Sequence, residues 1–401
     1  MLKHFDKAEG SFTKNGKTLF WKGLNDMNKI EKVVSQFLDT QTNEAVNAAT
    51  SSGAFASGQR RSFSTLNNKT SPFSNGRRMY STSSRDVKRI GLIGARGYTG
   101  QELIRLVNNH PSMEIAYISS RELEGKPLDG YTKSPVTYVN FSPEQVKEKT
   151  QSGDVDAWIL ALPNGVCKPF VEAIDGVEEG KKQVLCDLSA DYRFTDSWTY
   201  GLPEFKIPGA TRISNPGCYA TGSQLAIRPL LAQLGGNPSI FGISGYSGAG
   251  TKPSPNNDPN NLKDNIIPYS LTNHIHEREV SHQLGHEVHF MPHVAPFFQG
   301  ISLTVNIPLN KTMTSADVRE LYEAAYENEK LVHVVKGGIP VVKENSGKHF
   351  ARVGGFGVHS NGKRVVIVAT IDNLLKGAAT QAVQNLNLSL GLGEYTGIPL
   401  D

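Results

Sequence analysis

The sequence predicts an α/β chain in two parts, a parallel-sheet part beginning near Val87 and an α+β part after it. Three observations predict this. A short apolar strand, a glycine-rich turn, a helix and a second strand follow one another from 89 to 120. Two further short apolar runs, 156–162 and 183–188, each end in a polar turn, as strands of a parallel sheet do. Beyond position 300, two β-branched runs bracket one amphipathic helix.

The chain has 401 residues, 38% of them apolar and 20% charged, enough for more than one domain with a buried core. No apolar run approaches the ~18 residues of a membrane span, so no membrane partner is expected. Three cysteines are too few for a disulfide framework and point to a reducing compartment or a reactive thiol. The net charge of +4 is local. Residues 45–85 hold Arg60, Arg61, Lys69, Arg77, Arg78 and Arg85 and no acid; without these six, 36 basic side chains face 38 acidic ones, or −2. The rest of the chain has no basic bias, and nucleic acid is not an expected partner.

In residues 1–40, the run 16–21 reads as a short edge strand and 30–37 as an amphipathic turn or two. So short a segment buries too little to be stable alone, so it reads as the tail of an upstream domain. Residues 41–86 are rich in Ser, Thr, Asn, Gly and Arg without hydrophobic periodicity, the mark of an unfolded connector. Arg- and Ser-rich, acid-free composition also describes an organelle transit peptide. Arg61-Ser62-Phe63-Ser64 and Arg78-Met79-Tyr80-Ser81 resemble the site cut by mitochondrial matrix processing protease. A plain linker with chance matches is the competing account.

From Val87 the character changes. Residues 89–94 form an apolar strand that enters Gly94-Ala95-Arg96-Gly97-Tyr98-Thr99-Gly100, and the helix that follows stops at His110-Pro111. The second strand is 113–120. Glycines let the backbone approach a pyrophosphate, and the free N–H groups of the helix start hold its charge, so this unit predicts a Rossmann dinucleotide site. The second strand ends Ser119-Ser120-Arg121, where an NAD site usually carries an acid. Hydroxyls and a guanidinium suit a 2′-phosphate, so NADP(H) is the expected cofactor, unless Arg121 is a solvated surface charge. The strand at 156–162 ends in Pro163-Asn164-Gly165, a turn facing the cofactor; Cys167 after it and Cys186 in the next strand read as structural. In Asp187-Leu188-Ser189-Ala190-Asp191-Tyr192-Arg193, Arg193 partners either a substrate carboxylate or an acid of its own loop.

Ser214-Asn215-Pro216-Gly217-Cys218 leads into a helix. A thiol at a helix N-terminus is favoured as thiolate, which makes Cys218 the candidate nucleophile. It needs a base, and six of the eleven histidines lie between 274 and 293. His282 and His286 are one helical turn apart, a spacing that suits zinc. No His-Glu-x-x-His string is present (position 290 is Phe), however, so no metal is expected. A solvated helix face accounts for His282, His286 and His289. His274 and His276 alternate in an extended segment, which points one of them into the cleft as acid/base. The loop 245–252, with Ser247, Gly248, Gly250 and Lys252, has N–H groups suited to an anion. The runs 301–307 and 364–371 read as strands, and 315–328 as a helix capped by Ser315 or Thr314. A last helix runs to Leu392.

The ordered strings GARGYTGQEL, DLSADYRF, YGLPE, SNPGCYATG, GYSGAGTK, HIHERE and DNLLKGAA resemble N-acetyl-γ-glutamyl-phosphate reductase, within the wider semialdehyde-dehydrogenase group. The resemblance runs collinearly from Val87 to Asp401. It implies a Rossmann NADP-binding domain (87–217), an inserted α+β semialdehyde-dehydrogenase-type catalytic and dimerisation domain (218–372) and a C-terminal helix returning to the first domain (373–401). It also implies NADPH-dependent reduction of an acyl phosphate through a cysteine thioester, in a homodimer or homotetramer. Cys218 matches the family nucleophile and His274/His276 its His-x-His motif. Arg193, Asn215, Tyr269 and the 247–250 loop fall where substrate is held, and Asn373 near the nicotinamide. Many relatives carry Arg-Gly where this chain has Gln299-Gly300, and Lys252 is the cation that stands in. In fungi such a reductase is typically the C-terminal part of a mitochondrial precursor that begins with acetylglutamate kinase. That implies a matrix location, a kinase-part origin for 1–40, and a complex with the kinase. The alternatives are another acyl-phosphate semialdehyde dehydrogenase, such as the aspartate enzyme, a cofactor-independent Cys–His hydrolase, or a non-catalytic regulatory subunit of the kinase.

Overall fold

In a computed structural model, residues 9–14, 17–22, 87–205 and 209–401 are described. The run 30–37 and the whole acid-free tract, with Ser64 and Ser81, lie outside them. The early segment, taken by itself, is a two-stranded antiparallel hairpin of β1 (Glu9–Lys14) and β2 (Lys17–Lys22), so the strand expected at 16–21 is present and paired.

The parallel sheet follows. Strands β3 (Lys88–Ile93), β4 (Met113–Ser119), β5 (Ala157–Leu160), β6 (Val184–Asp187), β7 (Thr199–Tyr200) and β8 (Arg212–Ser214) lie in the order β4-β3-β5-β6-β8-β7, all parallel. All four residues of β5 and of β6 are buried, as expected where helices cover both faces of a sheet. Those helices are α1 (Tyr98–Asn109), α2 (Pro143–Gln151), α3 (Lys168–Asp175) and α4 (Glu178–Lys182). From β3 the chain crosses to β4 on one side and then to β5 on the other. The gap between β3 and β5 is thus a topological switch point, where open α/β sheets bind ligands.

The second sheet is mixed. Strands β9 (Ser239–Gly245), β10 (Ile267–Pro268), β11 (His289–Ala295), β12 (Ile301–Pro308), β13 (Val332–Val334), β14 (Ala351–Val358) and β15 (Arg364–Ile371) take the order β10-β11-β9-β12-β15-β14-β13. Alternate residues of β12 and β15 are buried, so one sheet face carries the core and the other does not. That core packs on α5 (Cys218–Ile227), α6 (Ile275–Leu284) and α7 (Ser315–Ala325). Thr314 caps α7 in a capping box with Asp317, one of the two caps expected. After β15 the chain makes one π-helical turn, Leu375–Ala379, then α8 (Thr380–Ser389), whose Ala382, Val383 and Leu386 join the core of the parallel sheet. Among the described residues no helix is long and apolar enough to cross a membrane.

Candidate active site

One cavity of about 1020 Å³ connects the glycine turn after β3 with the start of α5. Its cofactor end is built by close backbone approach. Gly94 sits at φ +88, and a Cβ there would stand 2.2 Å from Ala161 O; on Gly100 it would stand 2.6 Å from Ala95 O. The N-cap of α1, Gly97, offers no side-chain cap, so the first-turn N–H groups face the cavity with Tyr98 and Thr99. At the end of β4, Ser119 Oγ accepts from Phe141 N at 3.2 Å, while Ser120 Oγ is buried, lines the cavity and has no partner. An orphaned buried hydroxyl beside an uncapped helix start fits a bound dinucleotide ribose. Arg121 is exposed and bonds Glu122 at 3.2 Å, and Glu122 also faces Arg96 at 3.7 Å. Pro163 and Asn164 line the opposite wall, where Asn164 Oδ1 accepts from Ala190 N at 3.0 Å.

The acids of the 187–193 loop tie turns together. Asp191 accepts twice from Gly165 N, at 2.7 and 2.9 Å, and Asp187 accepts from Ser189 Oγ at 2.7 Å and Cys167 Sγ at 3.0 Å. Cys167 and Cys186 are fully buried, and burial raises both thiols, which fits the structural role expected of them. Arg193 is also partnered, but its acid lies outside its own loop. It donates to Asn215 O, Leu188 O and Glu279 Oε2, each at 2.9 Å. That engages three of its five N–H donors and leaves two.

Cys218 is the first residue of α5 and lines the cavity. The turn before it is locked from α6. Gly217 N donates to Glu279 Oε1 at 2.9 Å, and Tyr200 OH donates to the same oxygen at 2.7 Å. Gly217 must be glycine, because a Cβ there would stand 2.1 Å from His276 Nε2 and 2.7 Å from an Arg193 nitrogen. The His276 imidazole therefore packs directly on the turn that presents the thiol. Burial raises the Cys218 thiol to about 11, against the pull of the Tyr219 N–H and Arg193. Burial also lowers the His276 imidazole well below its usual value, with Arg193 adding to the shift.

The extended segment expected at 274–276 is absent. His274 is the N-cap of α6, its Nδ1 accepting from His276 N at 3.1 Å, and His276 lies in the first turn. Both rings line the cavity, rather than one facing in and one out. The helix ends at Leu284 with Gly285 left-handed at φ 63, so His282 and His286 do not share a helical face, and His289 opens β11. The His-x-His alternation fits a strand and a helix start equally, which is why Glu279, three residues after His276 and facing the same turn, escaped notice. Its partner Tyr200 and the lining residues Gly377 and Ala378 lie in distant segments, and no local pattern marks them as part of the site.

Elsewhere the expected residues are gathered. Ser247, Gly248, Gly250, Lys252 and Tyr269 all line the cavity with Asn215. Asn373 is engaged on both sides of its amide, accepting from Gly300 N at 2.7 Å and donating to Ser247 Oγ at 2.9 Å. Gln299 donates to Asp372 Oδ2 at 2.9 Å, whereas Lys252 is exposed and has no ion pair among the described residues.

Residues 89–211 match the family described as semialdehyde dehydrogenase, NAD binding domain, and 218–373 the semialdehyde dehydrogenase dimerisation domain. Residues 3–40 match the N-acetyltransferase of N-acetylglutamate synthase. Protein arg-6, mitochondrial, from Neurospora crassa is 54% identical over 98% of this chain but 48% of its own length. The chain spans about half the length of that relative and of others like it, such as Protein ARG5,6, mitochondrial, from Candida albicans, 53% identical over 99% of this chain and 47% of its own length. An N-acetyl-gamma-glutamyl-phosphate reductase from Stenotrophomonas maltophilia is 52% identical over 77% of this chain and 98% of its own length. The aspartate semialdehyde dehydrogenase II of Vibrio cholerae shares the fold, with a TM-score of 0.63 at 18% identity over 77% of this chain and 99% of that one. Matched by a reductase along nearly its whole length, and by both semialdehyde-dehydrogenase domains in order, this chain belongs to the N-acetyl-γ-glutamyl-phosphate reductase family.

Proposed function

We propose that the chain catalyses the NADPH-dependent reduction of N-acetyl-γ-glutamyl phosphate to N-acetyl-L-glutamate 5-semialdehyde and phosphate, a step of arginine biosynthesis. The observation that carries this is the single cavity holding both the glycine turn and Cys218. The Cys218 thiol and the glycine turn share one opening, which supports a thiol working beside a dinucleotide; a cofactor-independent Cys–His hydrolase does not need that arrangement.

His276, neutral and packed on Gly217, takes the Cys218 proton as the sulfur attacks the γ-acyl carbon. Phosphate leaves, and the acyl group remains on sulfur as a thioester. NADP(H) would be held by the Gly94–Gly100 turn, Ser120, Pro163, Asn164 and Asn373, and would supply the hydride that a thioester, unlike a free carboxylate, accepts. The thiohemiacetal oxyanion then collapses, the C–S bond breaks, and His276 returns its proton to sulfur. N–H groups at the start of α5 face the developing oxyanion. Arg193 with its two remaining donors, Asn215, Tyr269, Lys252 and the Ser247–Gly250 turn hold the substrate's anionic groups. His274 buttresses His276 through the cap hydrogen bond and the adjoining ring, whose centroid lies 4.9 Å away.

The half-exposed Phe241 on β9 belongs to the open face of the mixed sheet, and that face makes the homo-oligomer. The mitochondrial names of the fungal relatives support a matrix location, and the segment 3–40 supports origin from a longer precursor. The test is phosphate-dependent, NADP-dependent oxidation of N-acetylglutamate semialdehyde by the purified chain, with aspartate semialdehyde alongside. Faster turnover of the aspartate compound would replace the substrate; no turnover of either, with no NADPH binding, would leave a regulatory subunit.

A further inference from the structure

Lys376 is a fully buried lysine inside the π-helical turn after β15. Its Nζ is hydrogen-bonded to the buried carboxylate of Glu204 and donates to Gln384 Oε1 at 2.6 Å. Gln384 in turn donates to Glu394 at 2.8 Å, which anchors the group to the C-terminal end of the chain. A buried ion pair is weak grounds for stability, because removing two charges from water costs about what their attraction returns. The turn it sits in is unusual as well. Gly377 N bonds Asp372 O and Ala379 N bonds Leu374 O, both at 2.9 Å and both five residues apart, so one extra residue is bulged into the helix.

The bulge is aimed at the nucleophile. Gly377, the next residue, lies so close that a Cβ on it would stand 2.8 Å from Cys218 Cβ. Ala378 O accepts from Asn215 Nδ2 at 3.2 Å, three residues before the thiol in the chain. Lys376 therefore anchors one end of a two-residue stretch whose other groups touch both Cys218 and the turn that leads to it.

We propose that Lys376, through Glu204, is a positioning residue for the Cys218 thiol: it sets how far the π turn presses Gly377 against the nucleophile. The inference rests on Cys218 acting as the nucleophile, and its test separates the two. Lys376→Met alone leaves a buried carboxylate without its cation and is the variant most prone to misfold. The double variant Lys376→Met/Glu204→Gln removes both charges at near-constant volume, and Glu204→Gln alone keeps the acceptor. Each is compared with wild type for melting temperature, NADPH affinity, kcat, KM and the rate of Cys218 alkylation by iodoacetamide at pH 8. The double variant is expected to bind NADPH and melt like wild type, with KM within about twofold, a kcat down about tenfold or more, and an altered alkylation rate. Wild-type kcat and alkylation in a folded double variant would make the pair purely structural and overturn the proposal. So would failure of all three variants to fold. A Cys218→Ser protein that retained turnover would instead refute the nucleophile, whatever the Lys376 variants do.

Discussion

Burial raises the Cys218 thiol and lowers the His276 imidazole, so the two groups rest as a neutral pair rather than as thiolate and imidazolium. The sign has a direct consequence. The thiolate fraction grows as pH rises toward about 11, so iodoacetamide should alkylate Cys218 of the cofactor-free chain about tenfold faster per pH unit between pH 8 and 10. A rate already flat below pH 8 would mean the ion pair is preformed. Replacing Cys218 by Ser should cut turnover below about a hundredth while NADPH affinity holds; activity above that level would exclude covalent catalysis. The two histidines should then separate. His276→Ala is expected to lower kcat by about 10²–10⁴ with little loss of stability. His274→Ala removes the α6 cap, costing about 1 kcal/mol of stability, with the smaller kinetic effect. Equal kinetic losses would mean that both rings move protons.

At the scale of elements, legibility in the sequence followed the locality of the signal. The first βαβ unit was readable because glycine turn, helix stop and strand all lie within about thirty residues, the span such units need. The His-x-His segment was not, because two alternating residues carry no period, and the cap that makes it a helix start is a histidine rather than a usual Ser, Thr, Asp or Asn. The partner of Arg193 was equally hidden: Glu279 is 86 residues away and meets it only once α6 packs beside the Cys218 turn. Ser119, Ser120 and Arg121 at the end of β4 predict an NADP site, and the structure adds Glu122 bonded to that arginine. A 2′-phosphate must therefore compete with a carboxylate that is already in place. Arg121→Ala should weaken NADPH by about tenfold or more and NADH hardly at all, since hydrogen bonds to charged groups contribute about 1.5–3 kcal/mol. Glu122→Gln should tighten NADPH by freeing Arg121 and Arg96. Fluorescence titration of both cofactors measures each effect, and equal losses for NADPH and NADH in Arg121→Ala would remove that residue as the reader of the phosphate.

On the scale of the whole molecule, every cavity-lining residue among the described ones lies between Ile93 and Ala378. Residues from Thr82 to Asp401 form one compact unit, in which β3 begins at Lys88. The cofactor end and the thiol end are both built from residues of that unit, so residues 1–80 are expected to be dispensable for turnover. An acid-free stretch with two Arg-x-aromatic-Ser strings is the kind of chain a processing protease binds extended, whereas a strand already paired between β4 and β5 resists it. We therefore propose, from the acid-free composition and the two strings, that the mature reductase begins within about ten residues of Ser64 or Ser81. Ser81 is favoured, because a cut there removes the basic residues as far as Arg78 and leaves a short polar lead into β3. N-terminal sequencing of the protein isolated from mitochondria reads the start directly; a chain that still carries residues 1–75 would exclude processing at either string. A recombinant chain starting at Ser81 should keep kcat/KM within about twofold of the 401-residue form and melt at the same temperature. If it fails to fold, or loses NADPH binding, residues 1–80 are structural parts of the reductase and not the remnant of an upstream domain.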